Sequence, residues 1–185
     1  MFHTVFTVIF ILWGVSEVFI SSRLRTKGDS GRDAGTLKYV LIAAYASIGV
    51  AVYITLHDDG VLAEPTPAGY IGLAAIILGV VVRAYAILTL RRFFTVNVTL
   101  QEGHRLIRTG PYRFIRHPAY TGTLLSFYGF ALATENIWAA IILIVPITLA
   151  FAMRVKVEEA VLRQGFPEEY PDYERTTRRL VPFVY

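Results

Sequence analysis

The chain alternates between long apolar runs and short polar linkers. Apolar residues dominate five segments, at residues 2–20, 37–56, 68–90, 118–134 and 137–153. Runs near this length indicate transmembrane helices, because about 20 helical residues cross the hydrocarbon core of a bilayer. The last two segments are shorter, so we expect them to form a packed hairpin that crosses with help from its neighbours. The pattern predicts an all-α integral membrane protein with about five transmembrane helices. We expect the last helix to continue as a polar extension to about Gln164, because Gly165 is a helix-stop signal.

The charges in the linkers orient these segments. Lys and Arg are frequent in residues 21–38, between the third and fourth segments, and after Met153, whereas the loop from Asp58 to Glu64 carries acidic charges alone. Cytoplasmic loops carry an excess of Lys and Arg. We therefore expect a multi-pass protein with its N-terminus outside, its C-terminus in the cytoplasm, and the polar stretch before residue 118 at the cytoplasmic face.

Composition narrows the possible functions. The 185 residues are 55% hydrophobic and 17% charged, which is less charge than a soluble domain normally carries. A scattered net charge of +4 argues against a nucleic-acid partner and leaves membrane lipid as the surrounding partner. The absence of cysteine excludes disulfides, a thiolate nucleophile and a cysteine metal site. No repeat divides the chain, so we expect a single domain over residues 1–185.

Two charged residues, Glu17 and Arg83, lie inside apolar segments. Ionisable residues within a membrane are candidates for function by default, because burying them there is costly. The expected topology places both in the cytoplasmic half of the bilayer. They could form a structural pair with each other, or Arg83 could line a substrate entrance, and the sequence leaves both interpretations open.

A polar stretch at residues 103–122 separates the two apolar halves. It contains a turn signal at Gly110 and runs through His117 and Pro118 into the fourth apolar segment. Proline favours the first position of a helix and pushes the preceding residue towards extended geometry. We therefore expect His117 on an extended rim in front of free helical N–H groups, which is a suitable place for a small charged ligand.

The polar stretch resembles the isoprenylcysteine carboxyl methyltransferase family, whose members are integral membrane enzymes that use S-adenosylmethionine. The family pattern H-x-L-[VI]-x-x-G-x-Y-x-x-x-R-H-P-x-Y-x-G is matched by His104, Leu106, Ile107, Gly110, Tyr112, Arg116, His117, Pro118, Tyr120 and Gly122. A second family element is matched by Arg154, Glu158, Glu159, Glu169, Tyr170 and Tyr173. The resemblance covers the C-terminal half, and phospholipid N-methyltransferases share much of the pattern.

The resemblance implies a pocket for S-adenosylmethionine, with S-adenosylhomocysteine as the product. The residues implied for this pocket are His104, Arg105, Leu106, Ile107, Tyr112, His117, Pro118, Ala119, Tyr120 and Glu158. It also implies that Arg154 orients the carboxylate of the substrate, and an arginine fork suits a carboxylate. Residues 1–92 then form an N-terminal three-helix part, and residues 93–185 form the cofactor-binding and catalytic part.

Other interpretations exist for these residues. Arg154 and Glu158 are one helical turn apart, which is also typical of a stabilising ion pair. Tyr112 and Tyr120 could cover a sulfonium or belong to an interfacial aromatic belt. The sequence has no G-x-G-x-x-G after a strand, so we expect no nucleotide-binding sheet. Two histidines without further ligands at metal spacing do not indicate a metal site, so we expect none.

The resemblance implies methyl transfer to an amphiphilic acceptor that enters from the bilayer. In the family this acceptor is the α-carboxylate of an isoprenylcysteine, in a small molecule or a prenylated peptide. One alternative is a phospholipid or amine N-methyltransferase, which would need a base such as His117 or Glu159. Another is a membrane protein that binds a ligand without catalysis. A carboxylate is already ionised at neutral pH, and Arg154 is unfavourable beside a cationic amine, which favours the carboxylate.

Overall fold

The described elements of the chain are helical. The computed structural model describes residues 2–23, 35–57, 65–100 and 102–181. Within these residues the α-helices are α1 (Phe2–Arg23), α2 (Thr36–Leu56), α3 (Pro67–Leu90), α4 (Pro118–Ala133), α5 (Ile137–Gly165) and α6 (Tyr170–Thr176). Short turns of 3-10 helix occupy Arg91–Phe93 and Gly110–Arg113. The expected all-α class is confirmed for this part of the chain.

Three segments are long and apolar enough to cross a membrane: Thr36–Leu56, Pro67–Phe93 and Ile137–Gly165. The apolar stretch of α1, Thr4–Ile20, is shorter, and α4 has 16 residues. These helices agree with a chain embedded in a membrane, while the count of five spans remains a prediction. The loop from Asp58 to Glu64 and most of the first linker lie outside the described residues.

Helix α5 is longer than the expected fifth segment. It has 29 residues, continues through Pro146 and ends at Gly165, where the sequence contains a helix-stop signal. The apolar segment that ends near Met153 continues into charged residues without a break, and the whole helix is long and apolar enough to cross a membrane. The predicted polar extension is confirmed. It carries Arg154 and Glu158 on the same continuous helix.

Helices α3 and α4 pack with their backbones close together. Gly72 of α3 faces Gly129 of α4, and a Cβ atom added to either glycine would lie 2.6 Å from the carbonyl oxygen of the other. Small residues at such positions let membrane helices approach closely. The same contact brings Gly122, in the first turns of α4, against the backbone of Arg83. The start of α4 is therefore fixed next to the charged residue of α3.

Glu135, in the turn between α4 and α5, forms hydrogen bonds with the start of α3. This residue adopts a left-handed backbone with φ of 50°. Its carboxylate accepts hydrogen bonds from the backbone N–H of Thr66 at 2.9 Å and of Gly69 at 3.0 Å. A carboxylate there offsets the positive end of the helix dipole. The contact ties α3, α4 and α5 together at the end opposite the polar stretch.

Helix α1 is attached to this three-helix unit through aromatic rings. Phe6 and Phe10 stack on Phe130 of α4 with ring centroids 5.6 and 4.5 Å apart, and Trp13 meets Phe127 edge-on at 5.0 Å. Helix α2 packs against α5. These contacts place α1 and α2 on one side of the unit formed by α3, α4 and α5, with a space between them that becomes part of the site.

Candidate active site

A polar cleft of about 650 Å³ lies where the polar stretch meets the end of α5. Its walls come from residues 94–100, residues 104–107, the first turn of α4 and the second half of α5. The expected donor-pocket residues that line it are His104, Arg105, Leu106, Ile107, Tyr112, Tyr120 and Glu158. The two sequence motifs therefore converge on one cleft.

Two residues of the cleft carry buried polar atoms with no hydrogen-bond partner among the described residues, His104 Nδ1 and Asn97 Oδ1. Buried polar atoms normally have partners, so a polar ligand would satisfy them. The His104 ring packs 4.9 Å from Phe93 and 5.7 Å from Phe166. Burial lowers the pKa of His104 in spite of the opposing effect of Glu158, so the ring is neutral at neutral pH. A cationic ligand in the cleft therefore meets no positive charge from this ring.

A second cavity, of about 910 Å³, lies among the membrane helices. Its walls are mostly apolar side chains of α1 and α2, together with Phe127 of α4 and Phe151 of α5. Three charged side chains from the described residues also line it: Glu17, Arg83 and Arg154. Arg83 Nε lies 2.7 Å from Glu17 Oε1, so the pairing considered from the sequence is present and the pair also faces this cavity. Arg154 lines the same cavity from α5.

Tyr120 and Thr95 line both cavities and therefore form the wall between them. The Tyr120 hydroxyl donates a hydrogen bond to Glu158 at 2.5 Å and accepts one from Arg154 Nε at 2.9 Å. Arg154 is 3% exposed and also donates to the backbone carbonyl of Val96. Arg154 lines the apolar cavity and Glu158 lines the polar cleft. The two motif residues of α5 are thus connected through a tyrosine hydroxyl.

His117 directly precedes the start of α4, as expected from the sequence, but its side chain is buried. It is 3% exposed, and its ring stacks on the ring of Tyr120 with centroids 5.5 Å apart. Its Nε2 lies 3.6 Å from Glu159. His117 and Ala119 line a hollow of about 340 Å³ that adjoins the cleft, whereas the buried Pro118 lines neither this hollow nor the cleft. These three residues lie behind the cleft wall.

The C-terminal segment explains the burial of His117. The backbone N–H groups of Arg116 and His117 donate to the carbonyl oxygens of Arg178 and Arg179 at 2.7 and 3.0 Å. This contact covers the start of α4, so the backbone of the chain itself occupies the place that the sequence suggested for a small charged ligand. The C-terminal segment packs on the back of the polar stretch, where Leu180 and its neighbours line a separate groove.

Glu159 is the centre of a buried ionic cluster that holds this segment in place. Its oxygens lie 3.1 Å from Arg116 Nη2, 3.0 Å from Arg179 Nη2 and 3.4 Å from Arg163 Nη2. The Glu159 side chain is 1% exposed, and a charge buried to this extent needs such partners. The three arginines come from the polar stretch, α5 and the C-terminal segment. Glu159 is therefore engaged in joining these parts of the chain.

Helix α6 supports the outer side of the cleft. The Tyr173 hydroxyl donates to the carbonyl oxygen of Tyr112 at 2.8 Å. Arg108 donates to the carbonyl oxygen of Glu169 at 2.5 Å and pairs with Asp172 at 3.1 Å. Burial raises the pKa of Tyr112 and of Tyr173 well above the ordinary tyrosine value, so both hydroxyls stay protonated at neutral pH. The second motif therefore supplies Glu158 to the cleft and also the helix that supports its outer side.

The segment at residues 94–100 contributes cleft residues that neither motif marks. Five of its residues line the cleft: Thr95, Asn97, Val98, Thr99 and Leu100. Polar and apolar residues alternate here, which is the sequence signal of an extended segment with two different faces. The segment instead bends at residues 96–98, so the apolar Val98 and Leu100 line the cleft together with the polar side chains.

Similar proteins of known family exist. A sequence model described as phospholipid methyltransferase matches residues 68–169. A probable protein-S-isoprenylcysteine O-methyltransferase of Oryza sativa subsp. indica is 31% identical over 149 residues, which cover 80% of this chain and 77% of that protein. Protein-S-isoprenylcysteine O-methyltransferase B of Arabidopsis thaliana is 37% identical over 115 residues, which cover 61% of this chain and 58% of that protein.

A solved structure, that of the eukaryotic intramembrane Ras methyltransferase ICMT, has a similar fold. It superimposes with a TM-score of 0.65 at 28% sequence identity. The match covers 78% of this chain and 52% of that chain, so this chain spans about half the length of the solved relative. Together with the two motifs, these matches confirm the resemblance seen in the sequence. The chain belongs to the isoprenylcysteine carboxyl methyltransferase family of integral membrane methyltransferases.

Proposed function

We propose that this protein transfers a methyl group from S-adenosylmethionine to the carboxylate of an isoprenylcysteine. The observation that carries the proposal is the wall shared by two unlike cavities, a polar cleft and an apolar cavity. A water-soluble donor and a lipid-like acceptor each need a cavity of their own kind, and the two must meet at one point. Arg154 and Glu158 lie on opposite sides of the wall at that point.

The cleft suits a cationic, polar donor. When bound, S-adenosylmethionine supplies a methyl group that its sulfonium makes electrophilic. Glu158 provides negative charge for a cation, and the ring of Tyr112 provides an aromatic face that favours one. His104 Nδ1 and Asn97 Oδ1 gain partners when a polar ligand binds. Arg105, at the exposed edge of the cleft, is placed to bind a carboxylate.

The apolar cavity suits the isoprenyl chain of the acceptor. Burial of each methylene group contributes about 0.8 kcal/mol, so hydrocarbon walls supply most of the affinity without regard to the head group. The head group is selected by charge. Glu17 is paired with Arg83, and the guanidinium of Arg154 presents planar donors that suit a carboxylate better than an amine. We place the entrance of the acceptor between α1 and α2, which supply most of the walls.

The reaction needs no general base, because the acceptor carboxylate is ionised at neutral pH. The carboxylate oxygen forms a bond to the methyl carbon while the bond between sulfur and that carbon breaks. The products are a methyl ester and a neutral thioether, and no proton is transferred. Arg154 orients the carboxylate, while Glu158 and the cleft hold the donor in line and the surrounding walls exclude water.

We place the cleft on the cytoplasmic side of the membrane. Arg105 lines the cleft, and the residues adjacent in sequence to other lining residues include Arg91, Arg92, Arg108 and Arg113. Cytoplasmic segments near membrane helices are enriched in such residues. On this side the donor reaches the cleft from water, while the acceptor reaches the other cavity from the bilayer.

A methylation assay tests the proposed acceptor. Purified protein is incubated with radiolabelled S-adenosylmethionine and either a farnesylated cysteine analogue or phosphatidylethanolamine. We expect a base-labile methyl ester on the farnesylated compound and no labelled phospholipid. Labelling of phosphatidylethanolamine alone would contradict a carboxylate acceptor. Donor binding without transfer to these compounds or to a total lipid extract would instead support a membrane protein that binds the donor without catalysis.

Phospholipid N-methylation is the second candidate, because the matching family model is described as phospholipid methyltransferase. An amine acceptor is protonated at neutral pH and must lose a proton before it attacks. Glu159 is engaged by arginines, and His117 is buried behind Tyr120. Neither residue stands at the wall between the cavities as a base would need to. This arrangement, with Arg154 on the acceptor side, favours the carboxylate.

A further inference from the structure

The side chain of Tyr120 is held in a fixed position in the wall between the two cavities. Tyr120 lies in the first turn of α4, and its ring packs between His117 and Phe151 with centroid distances of 5.5 and 5.1 Å. Rings on both sides restrict rotation of the side chain. The hydroxyl therefore occupies a defined place relative to both cavities.

This hydroxyl connects one charged residue from each cavity. It donates to Glu158 at 2.5 Å and accepts from Arg154 Nε at 2.9 Å. Hydrogen bonds to charged groups are stronger than those between neutral groups. Arg154 and Glu158 are also four residues apart on α5, which is the spacing at which such residues pair directly on a helix. The hydroxyl lies between them and separates the two charges.

We propose that Tyr120 is a positioning residue that keeps Arg154 on the acceptor side and Glu158 on the donor side of the wall. This inference rests on the function proposed above. Without the hydroxyl, the Nε–H of Arg154 loses the group that links it to Glu158. The guanidinium is then drawn towards the carboxylate, because opposite charges attract strongly away from bulk water. The guanidinium then turns away from the acceptor carboxylate. Transfer slows, while the cleft keeps its other contacts to the donor.

The test compares Tyr120→Phe with Tyr128→Phe as a matched control. Tyr128 is on the same helix, and its hydroxyl bonds to Thr148 at 2.8 Å in a groove away from both cavities. With both substrates saturating, we expect the turnover of Tyr120→Phe to fall about 10- to 100-fold. A loss of this size corresponds to the free energy of a hydrogen bond to a charged group. The affinity for S-adenosylhomocysteine, measured by calorimetry, should change by less than about threefold. Tyr128→Phe should match the parent in both measurements.

Two results would overturn the inference. The first is turnover of Tyr120→Phe within about threefold of the parent. The second is a loss of S-adenosylhomocysteine affinity as large as the loss of turnover, which would make Tyr120 a contact of the donor. A double-variant cycle sharpens the test. Because Tyr120 acts through Arg154, Tyr120→Phe should cost little more once Arg154→Lys is present, and a full multiplicative loss would contradict this.

A measurement without turnover separates this inference from the proposed function. If the parent binds S-adenosylhomocysteine but methylates no acceptor, the proposed function fails, but the link from Arg154 through the Tyr120 hydroxyl to Glu158 can still be tested. In protein labelled with isotopic arginine, the Nε–H signal of Arg154 is identified by its loss in Arg154→Lys. This NMR signal should shift in Tyr120→Phe, because its acceptor is no longer a hydroxyl. An unchanged signal overturns the inference.

Discussion

Replacing Arg154 tests which side of the shared wall binds the acceptor. Arg154→Lys keeps the positive charge but loses the planar fork that presents two donors to a carboxylate. Arg154→Ala removes the charge as well. In the structure the guanidinium donates to the hydroxyls of Tyr120 at 2.9 Å and Thr36 at 3.1 Å, and to the carbonyl of Val96. Either substitution therefore also removes support from the wall.

The expected losses can be estimated from these contacts. Removing one electrostatic donor from an active site costs about 2–4 kcal/mol of transition-state stabilisation, which is about 30- to 1000-fold in rate. Arg154→Lys should recover little of the rate that is lost in Arg154→Ala. A buried carbonyl left without its partner costs about 1–3 kcal/mol of folding free energy, so both variants should melt at lower temperature. Donor affinity should stay within about threefold of the parent, because Glu158 and the cleft residues remain.

The assay measures ester formation on the farnesylated cysteine analogue at saturating donor, normalised to folded protein. Arg175→Ala is the control, because the Arg175 side chain is 79% exposed and contacts Asp172 at the surface, 3.3 Å away. It should retain the turnover of the parent. Turnover of Arg154→Ala within about threefold of the parent would refute the role of this residue. Faster turnover of the same variant on an amine acceptor would support phospholipid N-methylation.

Packing, protonation and topology give the remaining predictions. Gly129→Ala should lower the free energy of unfolding by about 1–3 kcal/mol, because the added methyl group overpacks against α3. Gly49→Ala is the control and should be neutral, because no atom lies within 4 Å of its new Cβ. Equal melting temperatures of the two variants would exclude the close contact. Burial lowers the pKa of His104, so folding stability should hold above about pH 6.5 and decline below it, where the unfolded chain binds the proton first. His104→Gln should remove this decline from unfolding midpoints measured against pH, and an unchanged profile would contradict the assignment. A cysteine at Asp59 should react with an impermeant thiol reagent in intact cells and one at Gly103 should not; the opposite result would invert the topology.

Helix positions could be predicted because their signals are local. Pro67 begins α3 and Gly165 ends α5, in agreement with the preferences of these residues for helix starts and stops. Glu135 lies at the predicted tight turn between the last two apolar segments. The predicted extension of α5 to about Gln164 agrees with the observed end at Gly165, since a helix can continue after its membrane segment ends. The division at residue 92 remains a prediction, and the cavity walls from α1 and α2 indicate that the N-terminal part also contributes to the site.

The candidate site could be predicted as a set of residues but not as an arrangement. The motifs contain Arg154, Tyr120 and Glu158. That the Tyr120 hydroxyl lies between the two charged groups depends on how α4 packs against α5. Nothing local in the sequence shows that His117 is covered by the backbone of Arg179, because more than sixty residues separate them. Contacts of this kind follow from tertiary packing rather than from periodicity.

The ionic cluster at Glu159 implies an order of events during synthesis. Arg179 follows every helix of the described chain, so it leaves the ribosome after α1 to α6. Segments that emerge earlier begin to fold earlier. The membrane helices are therefore free to integrate while Glu159 still lacks this cation and while the backbone of Arg116 lacks its partner at Arg178. Integration and maturation of the cleft are then separate stages, and a nascent chain stalled before Arg179 would be integrated but unfinished.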